Sequence, residues 1–451
     1  MNNYIFYYYM NTNTFLGIGS LANNTGTNNS SVGYFSLFSN LDASSNIAVG
    51  SNALLKNKTG AYNSAIGTGS MCFNQTGSLN TAVGSNALEG EEANTSVGDG
   101  NVAVGAQALF SNSGDYSTAV GTYALMNNTT AIPPIIPDPN VPPGVFSGNT
   151  AVGYACLQDN TTGFFNTANG LISMNKNTVG YQNVAMGAAS LEKNTTGFDN
   201  TAIGAAALRE NKGDNNTAVG AAALEQNTTG KYNVGVGPAT LRYNQTGEGN
   251  SIVGYHALRD NSNGSYNTAI GFEAGKQDTG GSYNTYIGYN TDVSGNVWSN
   301  STALGYNARI EDNNQVVLGT QNDYVYIPSC YNTNGALVVG GETRITTSCT
   351  AASFITTSDY RIKENVETLA YQTVDKLRPV TYLNKITGKQ DIGLIAHEVQ
   401  EIYPELVEGE KDGEKNQAIN YIGLIGVLIN EIQTLKQRVN KIENEIKIKI
   451  D

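Results

Sequence analysis

Charge, cysteine and long apolar runs are all scarce in this chain. Only 14% of its 451 residues are charged. The four cysteines, Cys72, Cys156, Cys330 and Cys349, are widely scattered, with no CxxC spacing and no histidine cluster beside them. That pattern argues against a zinc site and reads as isolated small buried residues; Cys330 with Cys349 is the one pair to check for a disulfide. The net charge of −13 and pI near 4.7 leave no basic stripe to neutralise phosphates, so no nucleic-acid partner is expected. No run of about 18 apolar residues occurs, so no membrane insertion is expected. The N-terminus, MNNYIFYYYMNTNT, lacks a basic n-region, a sufficient apolar core and an AxA-type cleavage site. Assembly in a cytoplasm is therefore the expectation.

Glycine is abundant, with 51 residues, and it is periodic. From about Phe15 to Gly319 the chain repeats a unit of the type NTAVGxxALxxNTTGxY. Its TAVG glycine falls at Gly33, Gly50, Gly67 and Gly84, then from Gly153 through Gly170, Gly187, Gly204, Gly220, Gly237, Gly254, Gly271, Gly288 and Gly305. The step is almost always 17, which is the signature of a solenoid. Each unit reads as two short strands and two corners. In the copy NTAVGYACLQDNTTGFF, Val152 and Leu157 are five residues apart, so strict alternation would put them on opposite faces. A turn at Gly153 is expected to bring both inward. The second corner is Asn160-Thr161-Thr162-Gly163, where the Asn side chain can bond its own backbone.

Each unit offers only about four apolar side chains, so the core of one stack is thin, and three chains around a common axis would thicken it. The repeat resembles the head repeats of trimeric bacterial adhesins, although their repeat is usually shorter. That resemblance implies a parallel β-roll built by a homotrimer. About 18 coils at ~4.8 Å each give a rod on the order of 85 Å. The repeats hold no paired carboxylates, no nucleotide loop and no GGxGxD calcium motif, so no glycan-degrading site, metal or cofactor is expected. His256 sits at an ordinary repeat position and reads as packed or solvated.

The repeat is interrupted twice. Between Gly121 and Gly153 the step is doubled by an insert near residues 126–149 carrying AIPPIIPDPNVPP. Its proline run favours extended, exposed backbone, suiting a surface loop or a receptor-contacting protrusion. Around Gly98 and Gly105 the sequence reads as a shortened or slipped coil. The Asn-x-Thr triplets at Asn74, Asn194, Asn227 and Asn244 match glycosylation acceptors, but their recurrence at the turn makes backbone chemistry the simpler cause.

Charge divides the chain. Roughly a third of the last 94 residues are charged, against about a tenth before them, which places a boundary near Ser358. The expected organisation is an N-terminal segment (1–14), a shaft (15–319), a β connector (320–357) and a terminal domain (358–451). That last domain opens on SDYRIKEN, runs through LRPVTYL and GLIAHEVQEIYPELV, and closes on a long apolar-periodic helix. These four blocks resemble the self-cleaving intramolecular chaperone found behind phage endosialidase tailspikes and other trimeric fibres. The resemblance implies a Ser–Lys dyad, with Ser358 as nucleophile and Lys363 as base. It also places Asp359 and Arg361 in the motif as loop-orienting residues and His397 as an auxiliary group. Serine needs a base to take its proton, and a lysine serves when desolvation lowers its pKa. Spacing alone favours a different reading, in which Ser358 caps a helix and Lys363 is a solvated charge on its first turns, with Ile362, Val366, Leu369, Thr373 and Leu377 on one face. The downstream blocks favour cleavage.

The tail near 421–450 carries a heptad seam: Tyr421, Ile425, Leu428, Ile432, Leu435, Val439, Ile442 and Ile446. Isoleucine at a with mixed Leu and Ile at d leans toward three strands, while packing on its own domain is the alternative. The expected protein is mainly β: a trimeric shaft of 17-residue repeats, then a small α+β domain ending in a trimeric coiled coil. By the resemblance it is an external virion fibre that cleaves itself at Ser358 and attaches to an unknown host-surface receptor, such as a glycan. A non-cleaving spike is one alternative. A cell-surface adhesin is another, and would need a secretion signal and an anchor.

Overall fold

The computed structural model of the protein describes residues 12–92, 97–129, 147–295, 297–323, 363, 366–367, 369, 373–385, 388–413 and 416–450. Two compact units emerge, Met1–Tyr326 and Ile327–Asp451. The proline run Pro133–Pro143, the connector from residue 324 onward, and Cys330 with Cys349 lie outside the described residues.

The first unit is a parallel β-solenoid. Eighteen three-residue strands, from Thr14–Leu16 to Val316–Leu318, form one sheet in which each strand pairs with that of the next coil. Val184 lies opposite Thr167 on one side and Thr201 on the other, an offset of 17 each way (184 − 167, 201 − 184). Two irregular steps differ from expectation or explain it. Thr81 pairs with Val102, so that coil is lengthened to 21 (102 − 81), not shortened. Thr118 pairs directly with Thr150, so the doubled step is one coil carrying the insert rather than two coils.

Each strand faces the core with its centre alone. In Thr150–Val152 the central Ala151 is fully buried while Val152 stays 36% exposed. The expectation that Val152 and Leu157 both turn inward therefore holds only for Leu157, which is fully buried. A three-residue strand alternates faces, so its two ends point outward together. Gly153 is required at φ +134°, because a Cβ there would lie 2.4 Å from the Gly170 carbonyl oxygen. The same clash with the next glycine recurs along the column, which ties the glycine spacing to the rung spacing.

Most coils have no second strand. After Gly153 the chain turns, with φ near +51° at both Ala155 and Leu157. A left-handed residue costs about 1–2 kcal/mol, and full burial of a leucine returns about 1.5–3. The turn also spends its N–H groups well: Ala155 donates to the Thr122 carbonyl of the preceding coil at 2.9 Å, and Leu157 to the Ser173 carbonyl of the next at 3.0 Å.

Two columns of buried asparagine complete each coil. Asn177 Nδ2 donates to Asn160 Oδ1 at 2.7 Å and to the Gly180 carbonyl of its own turn at 2.9 Å. Asn194 in turn donates to Asn177 Oδ1 at 3.1 Å, and the run continues through Asn211, Asn227, Asn244 and Asn261. In the second column the Asn183 backbone N–H donates to Asn166 Oδ1 at 3.0 Å, and Asn183 Nδ2 to the Gly197 carbonyl at 2.9 Å. Asn74, Asn194, Asn227 and Asn244 are fully buried, so their triplets serve the ladder. Cys72 and Cys156 are core residues; burial pushes their thiols up to about 11 and about 12, leaving both protonated at neutral pH.

The last coils depart from the pattern in a compensated way. At the leucine position Gly275 follows Leu258, and the vacated space takes the ring of Tyr286, which replaces alanine at a strand centre. Tyr286 OH donates to Asp278, which stands at the ladder position after Asn261, at 2.8 Å. One coil on, Asp292 occupies the leucine position and Arg309 the next, 3.4 Å apart. Among the described residues only here does a second strand pair form, Asp292–Val293 with Arg309–Ile310. Burial pushes the Asp292 carboxyl up to about 6, against N–H donors from Val293 and Gln277 and the Arg309 charge.

Two outcomes follow from these contacts. Replacing Asn194 by Ala strands a carbonyl and two amides of the ladder and should cost about 1–3 kcal/mol in denaturant unfolding. Replacing exposed Thr196 by Ala in the same turn should cost little. Asp292 has a folded pKa above its ordinary 3.8, so its stabilising contribution is complete only below that pH and is lost as pH rises through about 6. The stability difference between Asp292→Asn and the parent should therefore shift in the variant's favour from pH 4.5 to 7.5, measured by thermal unfolding.

Candidate functional site

The second unit is built from the blocks that stood out in the sequence. Val380–Leu383 pairs antiparallel with Gln390–Gly393. A short helix, α1 (Ala396–Gln400), follows, then a 3-10 turn at Pro404–Leu406, where Pro404 enters at the first position. Val407–Glu408 pairs antiparallel with Ala418–Ile419. The chain ends in a 30-residue helix, α2 (Tyr421–Ile450). Asn420 caps it, its Oδ1 accepting the Gly423 N–H at 3.0 Å.

Val399, Tyr403 and Val427 form the buried centre, ringed by Val374, Leu377, Leu394, Ile402, Leu406, Val407 and Ile419. Tyr403 OH donates to the Thr373 carbonyl at 2.7 Å, and the Leu394 N–H donates to Tyr421 OH at 3.2 Å. Arg378 forks onto Glu398, with Nε at 3.1 Å from Oε2 and a second bond to Oε1. That pair joins the LRPV block to the AHEV block, and the guanidinium holds the Glu398 carboxyl below its ordinary range. The pair is largely exposed, so it fixes geometry more than stability. Sequence reasoning missed this fork; an Arg in one block and a Glu in another carry no spacing signal.

Of the five residues expected to act, two are described. Lys363 is exposed and His397 is half-buried on the first turn of α1. Ser358, Asp359 and Arg361 lie outside the described residues. The alternative of a helix after Arg361 finds no support: Lys363, Val366, Glu367, Leu369 and Thr373 are not helical, and Val366 is 76% exposed. Among the described residues no group of His, Cys, Asp or Glu is placed to hold a metal, and no helix is long and apolar enough to cross a membrane.

Helix α2 packs on its domain through Leu424 and Val427, which are buried. Its heptad residues Ile425, Leu428, Ile432, Leu435, Val439, Ile442 and Ile446 stay 45–55% exposed. Apart from Tyr421, whose OH accepts the Leu394 N–H, the seam is a different face from the one its own domain uses.

A parallel β-solenoid followed by this small α+β unit defines a shaft with a terminal accessory domain. Residues 358–408 match the family described as chaperone of endosialidase, and the match opens on Ser358. The C-terminal part of the chain is therefore similar to that family over these 51 residues (408 − 357). The chain is also similar to the long tail fiber protein Gp37 of Escherichia phage AR1, 41% identical over 80 residues. That alignment spans 16% of this chain and 7% of the phage protein. The chain thus joins a β-solenoid to a segment that matches the endosialidase-chaperone family, and shares a stretch with a phage long tail fibre protein.

Proposed function

We propose that this chain forms a homotrimeric virion fibre whose terminal domain aligns three copies and then releases itself by cutting the chain at Ser358. The family match opening on Ser358 carries the reading. The exposed seam of α2 supports the trimer, since a helix with about half of each seam residue open to water is incomplete alone. Registering three chains first would assist the non-local strand pairing of the shaft, a slow and aggregation-prone step.

In the proposed reaction, Lys363 as a neutral amine takes the Ser358 hydroxyl proton while Oγ adds to the adjacent scissile carbonyl. The C–N bond breaks, the amine leaves with the proton from Lys363, and water hydrolyses the resulting ester. A lysine serves as base only when desolvation lowers its pKa. Lys363 is exposed in the single chain, and in the proposed order cleavage follows assembly, when neighbouring copies can cover it. Asp359 and Arg361 orient the loop and His397 assists. Cleavage removes the route by which the clamp could guide unfolding and leaves the shaft kinetically stable. The shaft serves host attachment, with a surface glycan as one candidate receptor.

The second reading, a clamp that trimerises without cutting, shares the family match and the seam. Mass measurement under native and denaturing conditions separates the two. The expected result is a trimer whose chains are cut at or beside Ser358, releasing a fragment of about 94 residues (451 − 357). Ser358→Ala and Lys363→Ala should leave whole chains that still trimerise. Parent protein that stays whole after trimer assembly would defeat the cleavage reading, and a stable folded monomer at micromolar concentration would defeat the trimer.

A further inference from the structure

Four successive coils at the end of the shaft read Val253-Gly254-Tyr255, Ile270-Gly271-Phe272, Ile287-Gly288-Tyr289 and Leu304-Gly305-Tyr306. The aliphatic residue ends the strand on its outer side, and the aromatic stands just past the turning glycine. All eight side chains are large and apolar, and all are 37–64% exposed. A monomeric surface rarely carries so long an unbroken apolar run without a partner for it. The aliphatic row extends further back along the sheet through Ile203 and Met186, is broken by the exposed Asn169, and resumes through Val152, Val120, Val104, Ile66 and Val49. The aromatic row does not: its places in the middle coils are Ala188, Ala205, Ala221 and Pro238.

The rings stack on one another along the shaft. Tyr255 to Phe272, Phe272 to Tyr289 and Tyr289 to Tyr306 have centroids 5.1, 5.3 and 5.5 Å apart and planes within 20° of parallel. Phe272 and Tyr289 are therefore sandwiched between neighbouring rings, with their edges pointing outward. A sugar that binds by stacking on a ring face finds no open face at these two rings; Tyr306, at the end of the row, stacks on Tyr289 alone. The row instead offers ring edges and branched aliphatic groups at the strand spacing of about 4.8 Å, which suits a long surface of the same period. A second copy of this chain carries that period by construction.

We propose that the tract formed by Val253, Ile270, Ile287 and Leu304 with Tyr255, Phe272, Tyr289 and Tyr306 is the anchor by which shafts of this protein pack against one another. The proposal rests on the trimer reading and deepens it, because it names the face and its strongest stretch. The aliphatic row alone continues the contact along the remaining coils. Aromatic residues concentrated in one stretch are the pattern of an energetic hot spot within a longer contact.

The test uses the full chain with Ile270 and Ile287 both changed to Asp, against Thr196 and Thr229, exposed turn residues, both changed to Asp. Light scattering at micromolar concentration should show the trimer fraction of released shafts lowered at least about tenfold in the first variant and unchanged in the second. If the parent is itself a monomer, the trimer reading fails. If the parent and the Ile270/Ile287 variant are equally stable trimers, this inference alone fails. Because charged substitutions can impair folding, Ile287→Cys provides a second readout. In the assembled protein it should react with a bulky maleimide far more slowly than Thr196→Cys, counting label above that of the parent chain. Equal, rapid labelling would overturn the proposal and mark the tract as a surface left free for a receptor.

Discussion

Where one coil of the shaft lies on the next, the backbone at Gly153 approaches that at Gly170 so closely that any Cβ would overlap the neighbour's carbonyl. The rest of the solenoid depends on that approach. With rungs so close, every other N–H of the turn reaches a carbonyl one coil away, and left-handed leucines such as Leu157 become affordable because their amides are satisfied. The same spacing brings Asn160, Asn177 and Asn194 amides into a line where each both donates and accepts. A polar residue at zero exposure is costly alone and inexpensive in a ladder, because each copy completes its neighbour's hydrogen bonds.

That economy leaves little apolar material in the interior, mostly an alanine and a leucine per coil. The larger aliphatic and aromatic groups stand outside, on Ile270, Ile287 and Tyr289 and again on the seam of α2. Both units of the chain thus keep their widest apolar surfaces unspent on their own folding. In the second unit the division is explicit on one helix: Leu424 and Val427 complete the domain core, while Ile425 and Leu428 face away from it.

Periodic features were legible because they are local and repeated. The 17-residue step, the turning glycine, the Asn turn and the terminal blocks each survive in three dimensions as rung, corner, ladder and packed unit. The misreadings came from treating the half-coil after the glycine as a strand. Alternation over Val152 and Leu157 assumes extended backbone, whereas Ala155 and Leu157 are left-handed. The apolar spacing from Ile362 to Leu377 suggested a helix, yet Val366 and Leu369 lie exposed on non-helical backbone, and of that row only Leu377 packs on the domain core. The coil after Gly84 looked short because its TAVG step is imperfect, and only strand pairing shows the four added residues.

By itself the sequence determined a parallel stack of identical coils, because a fixed glycine step admits no other register, and it determined the class of the terminal domain from four ordered blocks. Only the tertiary structure decided which side chains face the core and which face outward. That choice depends on backbone handedness after the glycine and on which face of α2 its own domain occupies, and neither is encoded in residue spacing. It also decided the compensated exchange of Gly275 for leucine and Tyr286 for alanine, since those positions are eleven residues apart in the chain and meet only when the coils stack.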